Sequence, residues 1–514
     1  MEAAQQAIRS LMEAGGVHHR ANRLRDAEQC YRAVLQMDPH HSRANHNLGA
    51  LYVQQGQPIS GLPFLSAALE TDPTQEQYWL SYIDALYVAG QTGTARKMLA
   101  FARQHGLGGN DVDELEAGLA GGDAAVSQEP VIEDIVVIDS VFPMKVPYSF
   151  RNAEVNGLLK LLPSLRSYTM FPMIAGDQAW FTHGYGIDES TYRDNKAGYL
   201  QHHPENERRI EYLHPDRKYR FKLAYMVFLA ETYTVLPFLE RHRIPFVFEL
   251  YPGGAFGLDN PSSDAMLRAV FGSRWFRKVI TTQKVSYDYL LSRDLCAKEN
   301  IVHLFGGILQ FPKNQQFTKR FYKKDKYTFD ICFVAAKYID KGLDKGYDLF
   351  VEAAKRLAGK CGDMRFHVIG GFDENEIDVS VIRDKITFYG FQQPDWLKEF
   401  YPRMDICLSP NRPFQKYPGD FDGYPMGCEQ SLFGVAMFTT DPLGNDDGLY
   451  EKDEIVLFKP ELEDITKNVE YYFNNLDELY SLAEKGRRKT GKLFDIDDRL
   501  RKIADVLRSA ADAV

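Results

Sequence analysis

The first hundred residues of this chain repeat with a period of 34 positions, and this restricts their fold more than any other feature. Asp38-Pro39 recurs as Asp72-Pro73. The same spacing links three further registers, which are Asn22, Gly56 and Gly90; Ala27, Gly61 and Ala95; and Tyr31, Leu65 and Leu99. A period of this length is typical of helix pairs that bury their apolar faces only against neighbouring pairs. The spacing therefore predicts three helix pairs between Ala3 and about Gln104.

Small residues at the helix crossings and a proline between repeats resemble the tetratricopeptide repeat (TPR). On this resemblance residues 1–106 are a TPR domain of about three repeats. Such repeats stack into a curved layer with a concave surface. The resemblance implies that this surface binds a peptide or protein. A structural spacer or a dimerisation module remains the alternative.

Residues 107–130 are rich in Gly, Ala and acidic side chains and contain almost no large apolar residues. This composition predicts a flexible linker. One short helix, through Asp111–Leu119, is the single element expected within it. The TPR domain is therefore expected to be hinged on the rest of the chain.

Beyond the linker, short apolar runs alternate with helical segments. The first series of runs is 135–139, 224–229, 245–250, 278–283 and 300–305, and the second begins with 329–335, 365–371 and 386–391. Alternation of this kind predicts parallel sheets covered by helices. The chain is therefore expected to form an α/β fold with two Rossmann-like domains. Their predicted bounds are 131–312 and 329–490, with an interdomain linker at 313–328 and a terminal helix at 491–514 that crosses back.

Two stretches have no single interpretation. Residues 175–222 show little periodicity and are assigned only to loops over a cleft. Residues 313–326 carry six Lys or Arg against one Asp. Such a basic run is expected to be a solvated linker, with a patch for an anionic acceptor or a membrane surface as the alternative.

The segment Asp405–Asp441 combines the features of a ligand site. It reads as a buried strand, a loop dense in Pro, Gly and Asp, a helix from about Gly427, and a second strand. Ligands of doubly wound sheets bind outside the carboxyl ends of the strands, where helix N-termini offer free N–H groups. Glycine lets the backbone approach a phosphate or a hexose, and Glu429 is placed to accept hydrogen bonds from ribose hydroxyls. The alternative is that Glu429 only favours the helix dipole.

This segment resembles the signature of retaining GT-B glycosyltransferases of the large group 1 type (glycosyltransferase family 4). Asp422-Gly423-Tyr424 corresponds to its opening, Glu429 to its second acid, and Gly434–Asp441 to its end. The chain departs from the signature in two ways. The first acid is Asp rather than Glu, and the two acids are seven rather than eight positions apart. The resemblance implies that Glu429 holds the ribose and that Asp422, Gly423 and Tyr424 lie near the donor sugar.

A second motif of the same family lies between Lys337 and Asp348. Lys345-Gly346-x-Asp348 matches its K-G-x-D ending, and Lys337 stands in place of its Arg. The resemblance implies that Lys345 and Lys337 stabilise the negative charge of a leaving diphosphate. The motif is expected on a loop outside the core. Without the resemblance it is a charged loop between a strand and a helix.

Glycine pairs at strand ends supply the remaining candidates for nucleotide-sugar binding. The residues assigned to this role are Gly370, Gly371, Gly390, Phe391, Gly253 and Gly254. The first two end a strand where phosphates approach the backbone, and the middle two resemble the family's strand that passes beside the base. The last two line the cleft from the first domain. Beside them, Glu249 is either catalytic or a cap of the following turn.

Composition excludes several classes of protein. The hydrophobic content of 44% predicts a globular chain, and the net charge of −10 argues against general nucleic-acid binding. No run of about 18 apolar residues exists, and the N-terminus lacks a secretory pattern. The six cysteines contain no C-x-x-C motif, so neither a structural zinc nor a disulfide framework is expected. These features predict a cytoplasmic enzyme of bacterial type.

The sequence thus predicts a retaining hexosyltransferase that uses a UDP- or GDP-sugar, holds no tight cofactor and needs no metal. Asp420 and Asp422 spell D-x-D, but their loop fits the acid–glycine signature better than a metal-binding turn. The acceptor is predicted to be a protein docked on the repeats, with a lipid-linked saccharide or polysaccharide as the alternative. Peripheral membrane contact and the oligomeric state stay open. The rival from another class is a non-catalytic TPR scaffold on a degenerate transferase fold.

Overall fold

The computed structural model describes residues 2–89, 91–104, 106–121, 130–145, 149–170, 189–213, 217–251, 253–337, 339–413 and 429–513. The chain divides into two compact units. The first consists of Met1–Val146 and Arg166–Phe221, and the second of Pro147–Leu165 and Lys222–Val514.

Helices occupy most of the described residues up to Gly121. Their bounds are α1 (Glu2–Arg20), α2 (Leu24–Met37), α3 (Ser42–Gln54), α4 (Pro58–Thr71), α5 (Glu76–Val88), α6 (Thr92–Gln104) and α7 (Asn110–Gly121). The first six lie where three helix pairs were predicted. Within the described part of the chain, no helix combines the length and the apolar composition needed to cross a membrane.

The residues that repeat in the sequence also repeat in the structure. Asn22 and Gly56 adopt left-handed backbone angles, with φ of 56° and 75°, in the turns before α2 and α4. Gly61 of α4 faces Gly49 of α3 so closely that a Cβ on Gly61 would lie 2.5 Å from the Gly49 carbonyl oxygen. Glycine is therefore required at this helix crossing. Five further repeated positions are buried in the helical core: Ala27, Tyr31, Leu65, Ala95 and Leu99.

Helix α7 lies in the segment that was predicted to be a flexible linker, and it packs against α5 and α6. Val112 and Leu119 are seven residues apart, share one face of the helix and are buried. Asp113 and Glu116 both pair with Arg103 of α6 at 2.6 Å. The acidic residues that suggested a linker thus attach this helix to the repeats. The short helix expected through residues 111–119 lies inside α7.

The remaining elements form two sheets with their helices. The strands of the first sheet are β1 (Val131–Asp139), β2 (Arg166–Thr169), β3 (Ile210–Tyr212), β4 (Tyr219–Val227), β5 (Phe246–Leu250), β6 (Phe276–Thr281) and β7 (Ile301–His303). Those of the second are β8 (Phe329–Val334), β9 (Met364–Ile369), β10 (Ile386–Phe388), β11 (Ile406–Ser409), β12 (Ala436–Thr439) and β13 (Val456–Leu457). The helices are α8 (Phe150–Leu161), α9 (Glu189–Leu200), α10 (Leu229–His242), α11 (Pro261–Gly272), α12 (Lys284–Ser292), α13 (Tyr347–Lys360), α14 (Pro394–Phe400), α15 (Leu462–Asn474), α16 (Leu476–Leu493) and α17 (Ile496–Asp512).

Both sheets have the strand order of a doubly wound fold. The first runs β3-β2-β1-β4-β5-β6-β7 and the second β10-β9-β8-β11-β12-β13. All five pairings of the second sheet are parallel. In each sheet the order reverses once, as in dinucleotide-binding domains. The predicted fold class, a helical TPR region followed by two Rossmann-like domains in the GT-B plan, is confirmed.

Part of the region assigned only to loops is regular structure. Residues 189–213 contain α9, a 3-10 helix at Pro204–Arg209 and the short strand β3. Tyr192 and Tyr199 of α9 are buried although the helix is largely polar. Strands of three residues and polar helices leave little periodicity in a sequence. Residues 171–188, in the same region, lie outside the described residues.

The terminal helix α17 packs against α8, which lies beside the first sheet. Leu500 approaches α8 so closely that a Cβ on Gly157 would lie 2.2 Å from its Cδ1. Arg499 forms a buried ion pair with Glu249 at the end of β5. Its Nη1 also donates to the Leu304 carbonyl oxygen at 2.9 Å. The helix that was expected to cross back is thus attached by one apolar and one charged contact.

Two buried carboxyl groups share one tyrosine near this ion pair. The Tyr225 hydroxyl lies 2.7 Å from Glu154 Oε1 and 2.7 Å from Glu249 Oε2. A phenol carries one proton and can donate it to one acceptor only. The second contact therefore needs a proton on a carboxyl group. Burial and the neighbouring Glu249 charge raise the pKa of Glu154 to about 8, so Glu154 is the group that keeps the proton.

We expect Glu154→Gln to change how stability depends on pH. A raised carboxyl pKa means that the folded protein holds a proton that the unfolded chain releases above its usual value of 4.5. Between about pH 4.5 and about pH 8 the wild-type free energy of unfolding therefore falls as pH rises. Glutamine stays neutral, so the variant should lack this part of the slope. Urea unfolding at several pH values measures it, with Glu240→Gln on the exposed side of α10 as the control.

Candidate functional site

The strand order of the second sheet locates a crevice at the carboxyl ends of β8 and β11. These strands are neighbours, and the chain leaves them toward opposite sides of the sheet. Ligands of open α/β sheets bind at this switch point. The segments that follow the two strands, 335–346 and 410–413, therefore supply the first candidate groups.

Gly346 brings these two segments into contact. Its φ is +67°, and a Cβ on it would lie 2.0 Å from the Pro410 carbonyl oxygen. Any side chain here would separate the loop after β8 from the loop after β11. Gly346 also directly precedes α13, so the same residue starts a helix at the crevice. This lack of space explains why the K-G-x-D motif has a glycine at this position.

Arg412 joins the same two segments through its backbone and its side chain. Its N–H donates to the Asp344 carbonyl oxygen at 3.0 Å, and its Nε donates to the Leu343 carbonyl oxygen at 3.2 Å. Its Nη2 lies 2.7 Å from Asp348 Oδ2, and about a quarter of the side chain is exposed. The aspartate of the K-G-x-D motif therefore holds a guanidinium group at the switch point.

Lys345 lies within this arrangement but is more buried than expected. It ends the 3-10 helix Asp340–Lys345, its side chain is 8% exposed, and its Nζ lies 3.5 Å from Asp344 Oδ2. The expectation that the motif lies on a loop outside the core is wrong for this residue. The physical reason is the contact between Gly346 and Pro410, which presses the loop onto the end of β11.

Lys337 follows β8 and is bound to a carboxylate. Its Nζ lies 2.5 Å from Glu376 Oε1, and this hydrogen bond raises the lysine pKa. Glu376 Oε2 is buried and has no hydrogen-bond partner among the described residues. The cation is therefore present at the crevice, but it is held by Glu376 in this structure.

The glycine pairs of the second sheet meet the other predicted residues. The Gly370 N–H donates to the Gly390 carbonyl oxygen at 2.9 Å. A Cβ on Gly371 would lie 3.1 Å from the Phe391 ring and 3.8 Å from Lys337 Cβ. Five of the predicted site residues, from the ends of β8, β9 and β10, are thus neighbours. The Phe391 ring is 73% exposed, which leaves an aromatic face open beside them.

Glu429 begins a 3-10 helix, Glu429–Phe433, where the sequence predicted an α-helix. The helix ends after five residues because Gly434 adopts a φ of +70° and the chain turns into β12. Glu429 Oε1 accepts a hydrogen bond from the Gln310 N–H at 2.7 Å. Burial raises the carboxyl pKa, and this one hydrogen bond only partly offsets it. Further hydroxyl donors would stabilise the ionised form.

Gly253 and Gly254 follow β5 in the first sheet. They adopt φ of 91° and 54°, and a Cβ on Gly254 would lie 2.4 Å from Phe228 Cβ. The glycines therefore allow close packing of this loop on the residue before α10. Glu249, for which two roles were left open, is fully buried against Tyr225 and Arg499. Its carboxylate neither caps the turn nor reaches an open surface.

Several predicted residues lie outside the described residues. These are Asp420, Asp422, Gly423 and Tyr424. Among the residues that are described, no group of three or more His, Cys, Asp or Glu side chains is arranged to hold a metal ion. Asp441, at the end of the signature, binds the backbone N–H groups of Asn445 and Asp446 at 2.7 and 2.8 Å. That carboxylate therefore shapes the loop after β12.

Three groups at the site were not singled out from the sequence. They are the Arg412 side chain, the Glu376 carboxylate and the Gln310 N–H. Arg412 lies two residues after a predicted strand, and a cation in that position is a usable signal. Glu376 and Gln310 gave no signal, because each is 39 or more positions from its partner in the chain.

Two family models match parts of the chain. Residues 18–80 match the tetratricopeptide repeat, and residues 329–468 match glycosyl transferases group 1. For these residues the matches confirm the resemblance to tetratricopeptide repeats and to group 1 glycosyltransferases. The second match covers the second Rossmann-like sheet and therefore the crevice described above. A search of curated protein sequences finds no match.

Among solved structures the chain is similar to several glycosyltransferases. Sucrose-phosphate synthase from Thermosynechococcus elongatus is 12% identical over 74% of this chain and 100% of that one, with a TM-score of 0.49. A mutant O-GlcNAc transferase of Thermobaculum terrenum is 15% identical over 99% of both chains, with a TM-score of 0.42. Anabaena Alr3699/HepE in complex with UDP-glucose is 15% identical over 73% of this chain and 99% of that one, with a TM-score of 0.47. These values are too low to say anything about activity.

The two glycines after β9 differ in how much room they leave for a side chain, and substitutions there should therefore differ in their effect on stability. A Cβ on Gly370 would lie 1.9 Å from the Ala335 carbonyl oxygen, and its φ is +125°. A Cβ on Gly371 would meet the exposed Phe391 ring at 3.1 Å and Lys337 Cβ at 3.8 Å, and neither is a backbone atom. We expect Gly370→Ala to lower the free energy of unfolding by more than about 2 kcal/mol and Gly371→Ala by less than about 1 kcal/mol. Urea unfolding checks this, and equal losses would contradict the described contacts.

Proposed function

We propose that this chain is a retaining, metal-independent glycosyltransferase that moves a hexose from a nucleoside-diphosphate sugar to an acceptor. The observation that carries the proposal is the set of cations at the switch point, inside the residues that match glycosyl transferases group 1. Such a reaction must stabilise negative charge on a leaving diphosphate. Fixed cations in a closed cleft do this without proton transfer. We place the enzyme in the bacterial cytoplasm.

Three cations are assigned to the diphosphate in this proposal. Arg412 is oriented by Asp348 and offers a planar group that suits phosphate. Lys345 adds a charge in a largely buried position, where the charge is less screened than in water. Lys337 reaches the phosphates by exchanging Glu376 for the ligand. In the absence of donor, Glu376 orients the Lys337 ammonium group.

The nucleoside is assigned to the carboxyl ends of β9 and β10. Phe391 offers an exposed aromatic face to the base of a UDP- or GDP-sugar. Gly370, Gly371 and Gly390 leave room for the ligand close to the backbone. Glu429 accepts from the ribose hydroxyls, which suits a buried carboxylate that receives one hydrogen bond from the described residues.

The sugar end of the donor is assigned to Asp422, Gly423 and Tyr424 on the strength of the signature. Gly253 and Gly254 line the cleft from the first sheet. The two halves are expected to close around the donor and to exclude water.

The acceptor is proposed to be a protein recruited by the TPR domain, whose match at residues 18–80 supports this role. Repeat stacks of this kind offer a concave surface for a peptide. A lipid-linked saccharide or polysaccharide acceptor, with repeats that serve assembly, is the second candidate. A non-catalytic scaffold is the third, and hydrolysis of nucleotide sugars by the purified protein separates it from both.

Lys345→Met should lower kcat/KM for hydrolysis or transfer by about 100- to 1,000-fold, the usual effect of losing one preorganised charge contact. Methionine keeps the length of the side chain in its buried position. A panel of UDP- and GDP-sugars identifies the donor first, and initial rates then compare the variants.

The removal of Lys345 leaves Asp344 buried with one oxygen already unpartnered, so a loss of stability has to be separated from a loss of rate. Asp344→Asn combined with Lys345→Met removes that charge as well. Lys341→Gln neutralises an exposed lysine of the same segment and should keep the wild-type rate. A folded Lys345→Met variant with unchanged kcat/KM would exclude Lys345 from the site.

Deletion of residues 1–125 should leave nucleotide-sugar hydrolysis nearly unchanged and sharply reduce transfer to the natural acceptor. An acceptor bound to the TPR domain is held at a local concentration of about the millimolar range. The donor site on the second Rossmann-like domain is unaffected by this binding. The deletion ends after α7, because α7 packs on the repeats. Residues 1–121 alone should retain a protein acceptor in a pull-down. Full-rate transfer by the truncated enzyme would assign the repeats to assembly.

A further inference from the structure

The basic run between the two sheets ends in a tight turn, Arg320–Tyr327, which we name the basic turn. The Asp325 N–H donates to the Phe321 carbonyl oxygen at 2.8 Å, and the Lys323 N–H donates to the Lys326 carbonyl oxygen at 2.9 Å. Asp325 Oδ2 accepts from the Phe321 N–H at 3.0 Å. The turn is therefore closed by its own hydrogen bonds.

The inner side of the basic turn is fixed to the second Rossmann-like domain. Tyr322 is buried, and its hydroxyl donates to Asp363 Oδ2 at 2.7 Å. The Lys326 ammonium lies 2.6 Å from both Asp330 and Asp405. These contacts hold the turn in one orientation, so the same side chains always face outward.

The outer side carries three cations. Arg320, Lys323 and Lys324 are exposed, and none has an ion pair with any residue that the structure describes. Lys323 Nζ lies 5.3 Å from the centre of the Tyr322 ring, and Lys324 Nζ lies 5.6 Å from that of Phe321. Each of these two ammonium groups thus lies over an aromatic ring, and neither forms an ion pair with a carboxylate of the described residues.

Tyr327 adds an exposed aromatic ring to these cations. Its side chain is 93% exposed, the highest fraction among the large hydrophobic residues that the structure finds exposed. An aromatic ring with a polar end is favoured at the boundary between lipid and water. The combination of these cations with such a ring suits lipid headgroups better than it suits a soluble anion, because all four side chains are exposed.

We propose that the basic turn docks the protein on an anionic lipid surface. The charge of the whole chain is −10, so attraction to such a surface has to be local. Each basic side chain near an anionic lipid surface strengthens binding roughly fivefold. Three such groups give weak, reversible binding that salt screens over about 10 Å. This inference does not depend on the proposed enzymatic activity.

Co-sedimentation of the full chain with vesicles tests the proposal. Phosphatidylcholine vesicles with about 30% phosphatidylserine should bind the protein, and vesicles of phosphatidylcholine alone should not. Raising the salt concentration should release the bound protein. Lys323→Glu combined with Lys324→Glu should lower binding at least about 20-fold. Tyr327→Ser should lower it severalfold at unchanged salt dependence.

The matched control is Lys452→Glu combined with Lys467→Glu, which makes the same change of net charge at exposed lysines away from the turn. It should bind almost as the wild type does. All variants change exposed side chains, so their Tm should stay at the wild-type value. Equal losses in the control pair would overturn the proposal. So would a wild-type protein that ignores phosphatidylserine, including one that binds poly-glutamate instead and thereby assigns the turn to an acidic protein.

Discussion

A single buried ammonium group holds the second Rossmann-like sheet together at the amino ends of its strands. Lys326 lies 2.6 Å from Asp330 of β8 and 2.6 Å from Asp405, which precedes β11. His367 of β9 contacts Asp330, and the Tyr480 hydroxyl of α16 donates to Asp405. Burial opposes both charges, yet His367 and Lys326 lower the pKa of Asp330 to about 2, while burial raises that of Asp405. Removing one partner from such a group costs about 3–5 kcal/mol.

The candidate site depends on this arrangement because it lies at the other end of the same strands. Pairing of β8 with β11 at Ile331↔Ile406 and Cys332↔Cys407 sets the register that brings their carboxyl ends level. The loops that follow can then touch at Gly346, where no side chain fits. This contact brings the Arg412 guanidinium group to the segment that carries Lys345. The same lysine also orients the basic turn, so both surfaces have one anchor.

The sequence was sufficient where a residue's role is local. The repeat registers predicted which small residues lie at helix crossings, and glycines after β9 and β10 were recognised as strand ends. It was insufficient where partners are distant in the chain. Glu376 and Gln310 were missed because their contacts with Lys337 and Glu429 arise only when separate loops converge. Glu249 was left with two roles, and the structure gives it a third, since a buried arginine 250 positions later binds it.

The sequence by itself determined the class of each region, because period, apolar runs and motif spacing are properties of neighbouring residues. It determined a helical repeat, two parallel sheets and a set of cations that follow strands. Only the tertiary structure decided which carboxylates pair with those cations and which of the cations are buried. The physical reason is that charge at a site depends on distance and on exclusion of water. Both are set by contacts such as that of Gly346 with Pro410, which join segments far apart in the chain.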